Sequence, residues 1–180
     1  WNDYKAALSI AKVCGGRFIR VPVFVDNVRT DYGDIFGNPE DVISYRRKIG
    51  ADSVLIFTDI HVKHAQLLSK NTLEKSAREA TRKKSDAIIV TGKWTGDVPI
   101  PEDLRRVREA IGKFPILVGS GASSENMRKL IRFADGIIVG TSLKTGRREK
   151  KNVNIKRYTE NIDEEKVRRF VKEFKKIIRR

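Results

Sequence analysis

The sequence predicts an α/β fold, a (β/α)8 barrel of which these 180 residues carry about five strand–helix units. Three observations predict it. Five apolar runs, Phe18 to Val25, Ser53 to Phe57, Ala87 to Val90, Ile116 to Val118 and Gly136 to Val139, are almost free of alternating polar positions. Such runs suit strands buried on both faces of a parallel sheet. Taken from residues 17, 53, 86, 115 and 136, the strand starts lie about 36, 33, 29 and 21 residues apart, the spacing of strand–helix repeats. An open doubly wound sheet is the alternative, but the loop after the first run lacks the glycine-rich dinucleotide fingerprint. A whole barrel typically needs about 250 residues. This chain also opens on a helix with no strand before it. The reading is therefore strands four to eight of a barrel, with the N-terminal strands missing.

The helices follow from their end signals. Asp3 to Val13 reads as a helix stopped by Gly15-Gly16. Asn38-Pro39-Glu40-Asp41 sets an amide cap, a proline in the first turn and carboxylates at the positive end. Val42, Ile43 and Ile49 face inward, and Gly50 stops this helix. Thr72 opens the next, to about Lys84. Pro101-Glu102-Asp103 opens another, buried through Leu104, Val107 and Ile111 and ended by Gly112. Ser124 opens one through Met127, Leu130 and Ile131. Residues 163–180 form the terminal helix, opened by Asp163-Glu164-Glu165. Residues 1–180 read as one partial-barrel domain. Residues 144–162 are a basic connector and the one candidate for a mobile loop. Its stretch Lys144 to Arg157 holds seven basic residues and one acid.

Composition narrows the function classes. Lys and Arg number 38 against 23 Asp and Glu, a net charge of +15. The basic residues interleave with acids along the helices, as in Glu74, Lys75, Arg78, Glu79, Arg82 and Lys83, so a solvated, ion-paired surface accounts for much of the charge. That pattern also suggests a thermophilic source. Nucleic-acid or peripheral membrane contact therefore ranks below small-molecule binding. No apolar run approaches the roughly 20 residues of a membrane span, and no secretory leader opens the sequence. The single cysteine, Cys14, excludes an internal disulfide and fits a reducing cytoplasm.

Two glycine turns carry the most specific chemical signal. The fourth run leads into Gly119-Ser120-Gly121-Ala122, and the fifth into Gly140-Thr141-Ser142. Glycine after a barrel strand lets backbone N–H groups approach an anion, and a following helix N-terminus adds positive potential. Loops after the last two strands are where barrels commonly hold phosphate. The alternative is that these glycines only close tight turns. Thr58-Asp59-Ile60-His61-Val62-Lys63-His64 continues the second run. Alternation puts Asp59, His61 and Lys63 on one side, where they can do acid–base work. A histidine pair that merely fixes the loop is the competing reading. His61 is the acid–base candidate, Asp59 its orienting partner and Lys63 the stabiliser of an oxyanion. A divalent metal on Asp59, His61 and His64 is conceivable, but the spacing is not diagnostic, and the sequence identifies no other cofactor. Asp26 and Asn27 after the first run, and Thr91, Gly92 and Lys93 after the third, complete the ligand-lining set.

Several of these segments resemble the BtpA family. They are Phe18 to Val21, Val25 to Asp31, Phe57 to His64, Ala87 to Gly92, Val118 to Gly121 and Asp135 to Ser142. Asp-Ile-His-Val-Lys-His, residues 59–64, is the most specific. The resemblance implies a ribulose-phosphate-binding type of barrel and places the five strands as numbers four to eight. It implies a protein that binds or acts on a phosphorylated small molecule, such as a sugar phosphate or nucleotide-like compound. If the protein is an enzyme, it is a lyase, isomerase or nucleosidase. A non-catalytic assembly factor for a membrane complex such as a photosystem is the other function the family name carries. A partial barrel exposes inner apolar side chains and strand edges, so a second copy of the chain or the missing N-terminal part is an expected partner.

Overall fold

The structure, a computed structural model, describes residues 2–92, 97–145 and 161–178. In chain order the elements are α1 (Tyr4–Cys14), β1 (Phe18–Val21), β2 (Val28–Thr30), β3 (Gly33–Ile35), α2 (Pro39–Lys48), β4 (Leu55–Ile60) and β5 (Gln66–Leu67). There follow α3 (Leu73–Arg82), β6 (Ala87–Val90), α4 (Pro101–Ile111), β7 (Ile116–Val118), α5 (Met127–Leu130), β8 (Gly136–Ile137) and α6 (Glu164–Ile178). Five strands form one parallel sheet in the order β1-β4-β6-β7-β8, with β1 and β8 at its edges.

The local signals act as the sequence predicts at most helix ends. Asp3 accepts a hydrogen bond from the Ala6 N–H at 3.0 Å, and Gly15 closes α1 in the left-handed region. The Asn38 side chain accepts from the Asp41 N–H at 3.1 Å, and Thr72 from Lys75 at 3.3 Å. Asp163 caps α6 by accepting from the Lys166 N–H at 3.1 Å.

Strand parity divides the core. Ile19, Val21, Ile56, Ile60, Ile88, Val90, Ile116 and Val118 pack against Leu8, Val42, Ala77, Leu104 and Val107 of the helices. The alternate residues, Phe18, Arg20, Phe57, Asp59, Ile89 and Leu117, occupy the opposite face, where the Phe18 and Phe57 rings stack 4.6 Å apart. That inner face stays partly open: Phe18 is 53% exposed, Leu55 42% and Ile138 38%. At the other end of the sheet one device recurs. Asp86 accepts from the Ile56 N–H and from Arg46, both at 2.8 Å. Asp135 accepts from the Ile116 N–H at 2.8 Å and from Arg108 at 2.6 Å. Each carboxylate precedes one strand and ties it to its neighbour.

Four sequence expectations need correction. The first run is a strand only to Val21, because Pro22 has no N–H to extend the ladder. The chain then turns into an unanticipated antiparallel sheet, β3-β2-β5, closed over its own small core of Val23, Val28 and Val62. The second strand starts later and runs further than expected, carrying Thr58 and Asp59 inside the sheet. The helix opened by Ser124 amounts to four residues, Met127–Leu130. Lys93, and residues 146–160 of the basic connector, lie outside the described residues.

Candidate active site

A cavity of about 170 Å³ opens beyond the C-terminal ends of β7 and β8, lined by Lys63 and by residues 119–122 and 138–142. The two glycine turns and the loop after β4 therefore meet in one place. The Ser142 hydroxyl donates to the Ala122 carbonyl at 2.6 Å and locks the two turns together. Thr141–Leu143 is a 3-10 turn entered from Gly140. The first N–H groups of such a turn have no partner within it and are available to an anion. The Ser120 hydroxyl, in a residue only 5% exposed, has no hydrogen-bond partner among the described residues.

The glycines divide by role. Gly119 donates its N–H to the Val90 carbonyl at 2.9 Å, so that group belongs to the sheet and not to a ligand. A β-carbon at Gly119 would lie 2.5 Å from Ile89 Cγ2, and one at Gly121 2.5 Å from the Asp97 carbonyl carbon. Gly121 also has φ +64, a conformation glycine adopts without cost. Gly92 is likewise pressed against Asp97. At Gly140 no atom of the described residues lies within 4 Å of the β-carbon position. Close packing explains Gly92, Gly119 and Gly121; open space at the cavity is found at Gly140. The expected helix dipole after Gly121 is not available, since α5 begins at Met127 and spans four residues. Asn126 organises that turn instead, accepting from the Ser123 N–H at 2.9 Å and donating to the Gly121 carbonyl at 3.0 Å.

The loop after β4 departs from the alternation expected of it. Strand geometry ends at Ile60, and His61 (φ 48) and His64 (φ 60) are left-handed. Asp59 is 2% exposed and receives two hydrogen bonds from Arg20, Nε to Oδ1 at 2.7 Å and Nη2 to Oδ2 at 2.6 Å. Its carboxylate is thus engaged by a guanidinium rather than aligned on an imidazole. Burial pushes the Asp59 carboxyl up, against the pull of Arg20. The His61 N–H donates to Asp26 Oδ2 at 3.1 Å, and the Ser76 hydroxyl to Asp26 Oδ1 at 2.6 Å. Asp26 is therefore a buried brace for this loop, not a ligand-facing carboxylate. Asn27 is a second brace, accepting from the Gly37 N–H at 3.0 Å. His61 Nε2 is buried with no hydrogen-bond partner among the described residues, and His61 does not line the cavity. Lys63 does. Burial, then the charge of Arg20, holds its amine below the ordinary lysine range. Burial, then Lys63, does the same to the His64 imidazole. Among the described residues no three His, Cys, Asp or Glu side chains gather as a metal site.

Sequence reasoning overlooked Arg20. A signal was there: it is the only charged residue inside any of the five apolar runs. Thr91, just past the end of β6, keeps its hydroxyl buried and without a partner among the described residues.

The family's sequence profile matches residues 1–176. The chain belongs to the BtpA family. It is 40% identical over 144 residues to the photosystem I biogenesis protein BtpA of Synechocystis, covering 79% of this chain and 50% of that protein. An uncharacterized Pyrococcus furiosus protein is 39% identical over 157 residues, covering 87% of this chain and 58% of the relative. The chain thus spans about half the length of the curated relatives it matches. Among solved structures it resembles one described as native KDPGal, with TM-score 0.59 and 13% identity over 98% of this chain and 66% of the other. It also resembles thiamine phosphate pyrophosphorylase from Pyrococcus furiosus, with TM-score 0.57, 16% identity and coverage of 96% and 64%. Phosphoribosyl anthranilate isomerase from Thermococcus kodakaraensis gives TM-score 0.53, 18% identity and coverage of 97% and 70%. At such identities the likeness establishes the fold: this BtpA-family chain has the TIM-barrel build, with five parallel strands of it among the described residues. No helix among the described residues is long and apolar enough to cross a membrane.

Proposed function

We propose that this BtpA-family barrel binds a phosphorylated small molecule, its phosphate seated between Lys63 and the turns after β7 and β8. One observation carries the reading: Lys63, from the loop after β4, lines the same cavity as residues 119–122 and 138–142. A half-buried amine, backbone N–H groups and the Ser120 hydroxyl converge there, the donor chemistry that an oxyanion needs. The phosphate-ester names of two structural neighbours are consistent with it. Where the ligand is turned over, in a reaction of the lyase, isomerase or nucleosidase kind, Lys63 is the acid–base candidate that the cavity reaches. His61, whose Nε2 is enclosed, holds the loop.

Isothermal titration of inorganic phosphate and sugar phosphates tests the reading. Micromolar to millimolar binding, lost in Lys63→Ala, supports it. An absence of binding to every phosphorylated compound passes the function to an assembly role of the kind the Synechocystis relative's name carries.

A further inference from the structure

A guanidinium stands behind Gly119, one wall residue of the proposed phosphate cavity. A β-carbon at Gly119, a residue of the cavity wall, would lie 3.7 Å from Arg20 Nη2 and 2.9 Å from Thr91 Cγ2. Because that residue is glycine, it puts no side chain of its own between the cavity and Arg20; Ile89 Cγ2, 2.5 Å from the same β-carbon position, and Thr91 Cγ2 are the side-chain atoms nearer to it. Asp59 takes the Nε and Nη2 edge of the guanidinium, and Nη1 makes no protein hydrogen bond among the described residues. The exposure of the pair is unequal: 32% for the Arg20 side chain and 0% for that of Asp59. The carboxylate is thus the buried anchor and the guanidinium the presented group. Beside Gly119 two hydroxyls, Thr91 Oγ1 and Ser120 Oγ, are buried without partners among the described residues, and buried polar groups seldom stay so. Two cations, Lys63 and Arg20, face a single buried counter-charge, Asp59.

From this arrangement we propose that Arg20, fixed by Asp59, recognises a second oxyanion on the same ligand, and that the ligand class is a phosphorylated carboxylate. The inference rests on the phosphate reading above. Side-on pairing with Asp59 fixes the guanidinium plane, so its remaining donors are aimed before the ligand arrives. The unpaired Thr91 and Ser120 hydroxyls lie where they can donate to the same group.

Four probes separate this inference from the one beneath it: inorganic phosphate, glycerol phosphate, phosphoglycolate and phosphoglycerate, each titrated calorimetrically into wild type, Arg20→Lys, Asp59→Asn and Lys63→Ala. The lysine variant keeps a cation for Asp59, and circular dichroism checks its fold. At least one carboxylate probe is expected to bind about tenfold or more tighter than glycerol phosphate, a difference of roughly 1.4 kcal/mol. Arg20→Lys and Asp59→Asn should erase that preference and leave inorganic phosphate affinity within about threefold. Equal affinity for carboxylate and non-carboxylate probes, or full preference in folded Arg20→Lys, overturns the second-oxyanion inference while the phosphate site stands. No binding of inorganic phosphate, or binding indifferent to Lys63→Ala, overturns the phosphate site itself.

Discussion

Arg20 and Asp59 meet edge to edge across β1 and β4, two parallel hydrogen bonds of 2.7 and 2.6 Å joining a presented guanidinium to a buried carboxylate. β1 is an edge strand of the described sheet, and β4 is its paired neighbour. The pair therefore fastens the sheet edge.

Removing the cation should expose the cost of the anion. Arg20→Ala leaves a buried carboxylate without its hydrogen-bonded cation, a change worth about 3–5 kcal/mol. Burial raises the folded pKa of Asp59 above its unfolded value. A group raised in this way contributes stability that is full below the unfolded carboxyl pKa of about 3.9 and is lost as pH rises through the folded value. Urea unfolding of Arg20→Ala should thus show greatest relative stability in acid, and Arg20→Ala/Asp59→Ala should recover part of the loss near neutrality. A pH-independent deficit would remove Asp59 from the account.

Phosphate affinity should fall at alkaline pH earlier than an ordinary lysine would dictate. The amine of Lys63 is held below the usual range by burial and by Arg20, and anion binding favours its charged form. Titration from neutrality to about pH 10 should show the decline, and Lys63→Arg, which stays protonated throughout, should flatten it. An unchanged decline in Lys63→Arg assigns it to another group.

Valine at two glycines should give opposite results. Gly121→Val drives a side chain into the backbone of residues 97–98 at a positive φ, so the loss should be stability, on the order of 2–4 kcal/mol. Gly140→Val enters open space. It should unfold at nearly the wild-type denaturant concentration yet lose phosphate binding about tenfold or more, as a plugged cavity would. The pair read together distinguishes packing from plugging.

Asp26→Ala should loosen the Lys63 loop. The substitution strands the His61 N–H and the Ser76 hydroxyl, each bonded to this carboxylate now. A cost of about 2–4 kcal/mol follows from two buried donors losing their acceptor. Hydrogen exchange should locate the loosening in residues 61–65, with α1 unaffected.

The repeat of strand and helix was legible because each apolar run and each cap is a local signal. Asn38, Thr72 and Asp163 cap the helices that the residues around them announce. The β3-β2-β5 sheet was not legible, since its strands are two or three residues long and mostly exposed or half-exposed, so they show neither a full apolar run nor a clean alternation. In the site, the meeting of Lys63 with the glycine turns followed from their places after barrel strands. The roles of Asp59 and His61 did not follow. Alternation holds only while the strand lasts, and whether a buried carboxylate faces an imidazole or a guanidinium depends on a residue 39 positions away.

The two left-handed histidines bracket Lys63, and this bears on what selection would tolerate there. Among the twenty side chains, glycine and then asparagine and aspartate occupy such backbone readily, while β-branched residues resist it. In a saturation library scored for folding alone, residues 61 and 64 should accept Gly and Asn and reject Val and Ile, a filter set by the chain's path and blind to proton chemistry. A library scored for activity that also accepts Asn at residue 61 would mark its imidazole as chosen for shape.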